Sequence, residues 1–538
     1  MAEPEPEVSA GGTELPELLD WFRAQPGCKL GSVEITTYEY EGRGVKAAAA
    51  VKKGNPLFSC PIKLLVSAAA ARAEPTLGPV FAQLSLRDDD ILALFLLHER
   101  RKGAASAHAQ HIASLPTSYD QTIFWSPEEM AEIQGSNVFG ITAQLLVQIK
   151  EDYETLQAAL GGFAAVAVAD FSLADYFWAL ATIWSRSMDL PVPGESGATT
   201  TMRIIAPVAD MFNTRPGQPQ VHGYMRDLDA LTVAASEDTR AGEQLFIGYG
   251  SVTNARAMWL YGFASDNNPN DTVELFACMD TEAPSYEKRM KLLKALGLSE
   301  KSTSKPHALS LSDPLPKDLL LSLRVQHAPK KLIRQWRDDP EAFSTAKKPP
   351  DAALERTILD ALRAGCVGML ESYSTSLEED EEAAERWAAH TQSLAAVSGY
   401  RRRMALLLRL GEKRILRATI KAIDGAFNAL NFVDLDEEPA LEPAPVVAPA
   451  EEGSSEVKPG EANGYGTVAV DLAAEAEKAK ETMKALRKAQ MDKPPPVAMK
   501  RNPTTGEMEK FESSALKDDL PDEEAETGEI QIPVGDDY

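Results

Sequence analysis

Histidine and cysteine are the usual carriers of metal and thiol chemistry, and in this chain neither is spaced for it. Cys28, Cys60, Cys278 and Cys366 stand far apart, with no Cys-x-x-Cys pair and no histidine at zinc spacing. Neither a disulfide scaffold nor a structural zinc is expected, and the pattern suits a reducing compartment. His222 reads as a surface or core histidine in a strand, and the other six histidines are scattered. Other residues whose types suit binding are two tyrosine–glycine segments, Gly248-Tyr249-Gly250 and Tyr261-Gly262-Phe263, a turn, Glu41-Gly42-Arg43-Gly44, and Arg186, Asp210 and Asn213. Tyrosine rings exclude water while their hydroxyls keep a directional contact. An arginine fork can grip a carboxylate, and glycine lets backbone approach a ligand closely. Each residue alone also has a plainer reading: core aromatics, a helix-terminal charge, a carboxylate satisfying backbone donors, an ordinary turn.

The elements that must position these residues follow from periodicity. Val33–Tyr40, Val45–Val51 and Pro56–Val66 alternate around turn signals and predict a small antiparallel sheet. The period then becomes helical: Asp88-Asp89-Asp90 opens a helix over Ile91–Arg101, and Ser126-Pro127-Glu128-Glu129 and Ser172-Leu173-Ala174-Asp175 are capping boxes. Strands return at Arg203–Val208, Val221–Arg226, Ala230–Ala235 and Gln244–Tyr249. From Ser285 to Phe427 the pattern is helical, with candidates at Glu287–Leu296, Leu315–Trp336, Ala352–Glu371, Glu378–Thr391 and Arg401–Phe427. The basic run Arg401-Arg402-Arg403, Arg409, Lys413-Arg414, Arg417 and Lys421 reads as a solvated helix face. Docking of an acidic tail or acidic substrate protein is the sharper alternative.

Composition sets the limits. The chain has 538 residues, 44% hydrophobic, with 81 acidic against 55 basic residues and a net charge of −26. From Asp434 to Tyr538 there are 26 acidic and 11 basic residues, so −15 resides in the last fifth. Charge of this sign disfavours nonspecific binding to nucleic acid or anionic membrane. After Asp434 the Pro, Glu, Ala and Gly content predicts disorder, with one lone helix candidate at Leu472–Met491. The start MAEPEPEVSAGG lacks the features of a signal or transit peptide, and the longest apolar runs are too short to span a bilayer. A cytoplasmic or nuclear protein is expected.

The run Pro207-Val208-Ala209-Asp210-Met211-Phe212-Asn213, then Ala241–Gly250, Asn254, Tyr261-Gly262-Phe263 and Asn268-Pro269-x-Asp271 resembles the second half of a SET domain, in particular that of the Rubisco large-subunit methyltransferase family. Glu41–Ala47 with Val51, Gly54 and Pro61 resembles that family's opening strand pair. Leu115-Pro116, Trp125 and Ser185-Arg186 are similar to pieces of its helical insert. Ser376–Glu381 and Gly411–Leu416 are similar to its helical substrate-binding domain. In order, these pieces cover residues 15–430. The resemblance implies an α+β fold of SET-type small sheets with a threaded C-terminal crossing and a helical insert. The implied division is 1–14 disordered, 15–270 SET with the insert at about 88–200, 271–433 an all-α substrate-binding domain, and 434–538 a disordered acidic tail.

The same resemblance implies an S-adenosylmethionine-dependent protein-lysine N-methyltransferase, a monomer acting on a protein substrate. Tyr249 takes the catalytic position and Tyr261 the lysine-channel wall. Glu41, Gly42, Arg43, Arg186, Asp210, Asn213, Thr214 and Tyr249 take the cofactor-binding positions, and no metal is implied. In-line methyl transfer to an amine rests on positioning and electrostatics. Deprotonating lysine at pH 7 costs about 4–5 kcal/mol, which a narrow apolar channel beside a sulfonium reduces. The sequence departs from the family at one place: the usual Asn-His pair is Asn213-Thr214, a hydroxyl where an imidazole packs near the cofactor. Two other readings follow. A protein-histidine methyltransferase would avoid the deprotonation cost, although the retained Tyr261 favours lysine, and a non-catalytic SET-like module would account for Thr214.

Overall fold

The computed structural model describes residues 15–163, 171–194, 198–346, 349, 351–389, 397–433, 499–501 and 508–510. The helix Leu15–Ala24 leads into β1 (Lys29–Leu30), β2 (Val33–Tyr38), β3 (Gly42–Ala47), β4 (Pro56–Pro61) and β5 (Val66–Ser67). After the insert come β6 (Ser187–Pro193), β7 (Thr199–Ile205), β8 (His222–Met225), β9 (Ala230–Ala234) and β10 (Gln244–Leu245). They form three small sheets, ordered β1-β4-β9-β8, β10-β3-β2 and β5-β7-β6. Because all three sheets pair an early strand with a late one, β4 with β9, β3 with β10 and β5 with β7, the early and late strand regions fold only together. Their inward faces share one core, in which Phe22 and Phe58 stack at 5.0 Å beside Val45, Leu231 and Ile247.

The α+β architecture expected from the sequence is present, with local differences. The strand expected at Gln244–Tyr249 is regular only over Gln244–Leu245. Beyond it the backbone passes under the 213–219 segment, with a parallel bridge between Asn213 and Phe246 and the Ile247 N–H donating to the Asn213 carbonyl at 2.9 Å. Gly248 permits that passage: a Cβ there would lie 2.7 Å from the Pro219 backbone. The helix expected at Leu315–Trp336 is two, Lys317–His327 and Lys330–Asp338, because Pro329 lacks an N–H and drives Ala328 into extended backbone.

The insert packs the helix Asp88–Lys102 against Leu173–Arg186 over a core of leucine, isoleucine and aromatic side chains. Both expected capping boxes, at Ser126 and Ser172, are formed. The C-terminal region is not wholly helical: β11 (Val273–Leu275) pairs antiparallel with β12 (His307–Leu309). Its last element is the helix Val397–Val433, longer than expected at both ends. Most of 434–538, including Leu472–Met491, lies outside the described residues, as does 1–14. The exception within the expected disordered tail is a ribbon in which 499–501 pairs with 508–510, its central rung placing Lys500 opposite Glu509. No described helix is long and apolar enough to cross a membrane.

Candidate functional site

The threaded crossing gathers most of the residues singled out in the sequence. Val208 has a positive φ of 69°, and the single turn Ala209–Met211 follows it, so Asp210 points inward while Phe212 and Asn213 run alongside the late strand. The Tyr249 hydroxyl donates to the Phe212 carbonyl at 2.8 Å. That bond uses the only O–H, and the phenol oxygen's remaining capacity is as an acceptor. Tyr261, at the end of the helix Asn254–Leu260, sets its ring 5.0 Å from that of Tyr249 and 5.8 Å from Phe263. Burial raises both phenols above the ordinary tyrosine range, and for Tyr249 the neighbouring Tyr261 pushes further in the same direction. Both are therefore neutral hydroxyls at physiological pH.

The β2–β3 hairpin supplies the opposite wall. Tyr38 pairs with Gly42 across a loop at 39–41, and Gly42 holds a φ of 68° that favours glycine. Open space surrounds Gly42, so its glycine serves the turn and not a close approach by neighbouring atoms. Asn213 Nδ2 donates to the Arg43 carbonyl at 3.1 Å and to Gln244 Oε1 at 2.8 Å, tying the hairpin to the crossing. The Arg43 side chain turns away, donating to the Ser114 carbonyl at 2.6 Å. Glu41 is exposed on the loop, and Thr214 is half-buried beyond Asn213. Tyr40 on the same loop lies under the Arg403 guanidinium, 4.1 Å from its carbon, so the C-terminal helix touches the hairpin.

Arg186 and Asp210 form the third side. Arg186 Nη1 donates to the Asp210 carbonyl at 2.8 Å, and Asp210 Oδ2 lies 3.1 Å from His111 Nε2, both side chains fully buried. Arg186 Nε, Asp210 Oδ1 and His111 Nδ1 are buried with no partner among the described residues. His111 escaped the sequence reading: it lies 99 residues from Asp210 in the helix Ala109–Ser114, and no motif marks it. Gln244 was missed as well, though its alternation within a strand beside Asn213's partner segment was a usable signal.

The basic run expected to be a solvated face is divided: Arg402, Arg417 and Lys421 are exposed, whereas Arg401, Arg409 and Lys413 turn inward. Arg401 donates to Asp120 and Glu129 carboxylates and to the Tyr119 and Phe124 carbonyls, at 2.9 to 3.0 Å. Arg409 and Lys413 are buried on Asp380. Amphipathicity cannot distinguish a wet charged face from one that meets carboxylates across an interface. Among the described residues, Glu74, His98 and Glu99 come near enough to share a metal, but Lys102 Nζ already lies 2.9 Å from Glu74 and 2.6 Å from Glu99. A groove of about 520 Å³ between Arg100, Gln110, Leu115 and Trp178 includes neither tyrosine.

Comparison with known proteins bears on the fold. Residues 280–416 match the family model described as Rubisco LSMT substrate-binding. Among curated relatives, the actin-histidine N-methyltransferase of Homo sapiens is 27% identical over 421 residues, covering 76% of this chain and 68% of that protein. That of Gallus gallus is 28% identical over 420 residues with the same coverage. Rubisco LSMT bound to AdoMet superposes with a TM-score of 0.65 at 22% identity, over 78% of this chain and 93% of that one. The SET domain of LSMT bound to lysine and AdoHcy gives 0.65 at 21% identity, over 79% and 93%. Residues 280–416 are thus similar to the Rubisco LSMT substrate-binding family, and the fold is similar to that of Rubisco LSMT.

Proposed function

We propose that this chain is an S-adenosylmethionine-dependent protein-lysine N-methyltransferase, with residues 15–270 carrying the chemistry and 271–433 presenting the protein substrate. The observation that carries this reading is the pair of neutral, half-buried phenols, Tyr249 and Tyr261, packed at 5.0 Å beside the threaded crossing. The fold shared with Rubisco LSMT supports it.

The residues fit the cofactor's amino-acid end. Arg186 Nε is a buried donor and Asp210 Oδ1 a buried acceptor, both without protein partners, and a zwitterion brings a carboxylate and an ammonium to match. Asn213 holds the Arg43 backbone beside them. When bound, the cofactor supplies a sulfonium methyl. Tyr249, its proton engaged by Phe212, presents lone pairs to an amine N–H or a polarised methyl C–H. Tyr261 and Phe263 exclude water, and the desolvation lowers the pKa of an entering ammonium. Glu41, exposed on the hairpin loop, and Thr214 belong to the rim of this reading.

Histidine is the second reading, favoured by the curated relatives that methylate actin histidine. Imidazole, with an ordinary pKa of about 6.5, needs no costly deprotonation. Full-length protein incubated with methyl-labelled S-adenosylmethionine, a lysate of its own organism and, separately, purified actin separates the readings by amino-acid analysis of the labelled product. Label on lysine is expected. Label on histidine would overturn the lysine assignment and keep methyl transfer. No label together with no calorimetric cofactor binding would overturn both and leave a binding module.

A further inference from the structure

The four cysteines are distant in the chain, yet the fold sets two of them face to face. β1 and β4 run antiparallel with Lys29 opposite Ser59 and Leu30 opposite Phe58. The Gly31 N–H donates to the Leu57 carbonyl at 2.9 Å, which makes 31/57 a hydrogen-bonded rung and 29/59 the next. Continued by one residue, the register places Cys28 opposite Cys60 at a non-hydrogen-bonded rung. Consistently, the Cys28 N–H is used elsewhere, donating to the Gln25 carbonyl at 3.1 Å. Such rungs bring facing Cα atoms to about 4.5 Å with side chains closest. Disulfides span Cα separations of about 4.4–6.8 Å, so the backbone need not move to join this pair.

We propose that Cys28 and Cys60 are a modification site, a thiol pair that peroxide oxidises to an intramolecular disulfide, with Cys28 attacking and Cys60 resolving. The roles follow from access and charge. Cys28 is half-exposed and Cys60 fully buried. The facing Cys60 thiol holds Cys28 below the ordinary thiol range, with Lys63 adding to the effect. The same contact, with burial, pushes Cys60 up. The more acidic, more accessible sulfur is the nucleophile. Its thiolate attacks one peroxide oxygen; the O–O bond breaks and the departing hydroxide is protonated to water. The Cys60 sulfur then attacks the Cys28 sulfenic acid, the S–O bond breaks, the S–S bond forms, and a second water carries away the Cys60 proton. Two thiols lose two electrons in total, and hydrogen peroxide takes both. Cys278 is exposed and Cys366 buried, and they serve as internal controls.

The test treats full-length protein with a small excess of hydrogen peroxide, alkylates it in denaturant and maps the peptides by mass spectrometry. Two of the four cysteines should escape alkylation and be recovered as one Cys28–Cys60 linked peptide that dithiothreitol separates. C60S should leave Cys28 as a sulfenic acid captured by dimedone, and C28S should leave Cys60 alkylatable; C60A repeats the first variant with an apolar side chain in the core. Conversion of wild-type Cys28 to sulfinic acid without a cross-link would overturn the proposal, as would oxidation of Cys278 ahead of Cys28.

Discussion

Where the helix Val397–Val433 meets Leu377–Ala389, Asp380 accepts from Arg409 Nη2 at 2.9 Å, Lys413 Nζ at 2.6 Å and Thr375 Oγ1 at 3.0 Å. Arg409 continues to the Glu132 carbonyl at 2.5 Å, and Lys413 to the Thr375 carbonyl at 2.6 Å. Around Tyr249, by contrast, Arg186, Asp210 and His111 each keep one buried polar atom without a partner. The two regions are similarly charged and similarly buried. They differ in completeness, and completeness separates a joint from a binding site: a closed network has nothing left to offer a ligand, whereas orphaned donors and acceptors are costly until one arrives.

Opening the closed network should have the largest effect. D380A would strand the buried Lys413 ammonium and leave Arg409 with Glu132 alone, and is expected to destabilise the protein by about 3–5 kcal/mol, read as a lower midpoint in urea denaturation. A loss below about 1 kcal/mol would mean the cations find water, and the network would not be the closed joint described.

A second test uses acidity on the same helix. Glu412 accepts from Ser136 at 2.8 Å and Tyr373 at 2.9 Å, and burial pushes its pKa up to about 7. The folded-state pKa lies above the unfolded one, so the folded state binds the proton more tightly. Its stabilising share is full below about pH 4 and is lost as pH rises through about 7, amounting to about 3 kcal/mol. E412Q should flatten that part of the stability profile; parallel profiles for both proteins would refute the assignment.

The smallest effect in free energy falls at the open site. Y249F should lower methyl-transfer turnover about 100-fold, equivalent to about 2.7 kcal/mol, while cofactor affinity measured by calorimetry changes little. Its midpoint in urea should drop far less than that of D380A, since one hydrogen bond to a carbonyl nets about 1 kcal/mol. Unchanged turnover would remove Tyr249 from the chemistry.

Legibility in the sequence divides along the same line. The β2–β3 hairpin and both capping boxes could be read directly, because turn chemistry, capping and strand alternation act over a few residues, whereas the Tyr249 and Tyr261 segments stood out only through a family resemblance. The partnership of His111 with Asp210 could not, because a lone histidine in a short helix carries no local signal. The Arg401–Lys421 run was only partly legible for a related reason: its periodicity correctly predicted a helix and Arg402, Arg417 and Lys421 are exposed, but that Arg401 and Arg409 meet Glu129, Glu132 and Asp380 is set by elements more than a hundred residues away in two of the three cases. Pro329, which divides an expected single helix, shows the limit of periodicity even locally.

By itself, the sequence determined the hairpin, the capped helices, most of the element order and the uneven charge, since each depends on short-range sterics, hydrogen bonding or composition. Only the tertiary structure decided which buried polar groups are satisfied and which are left open, that Arg401, Arg409 and Lys413 of the basic stripe form a joint, and that Cys28 faces Cys60. Those are properties of juxtaposition. Burial in a low-dielectric interior gives a missing partner its cost, and the chain acquires that interior only when its distant segments pack.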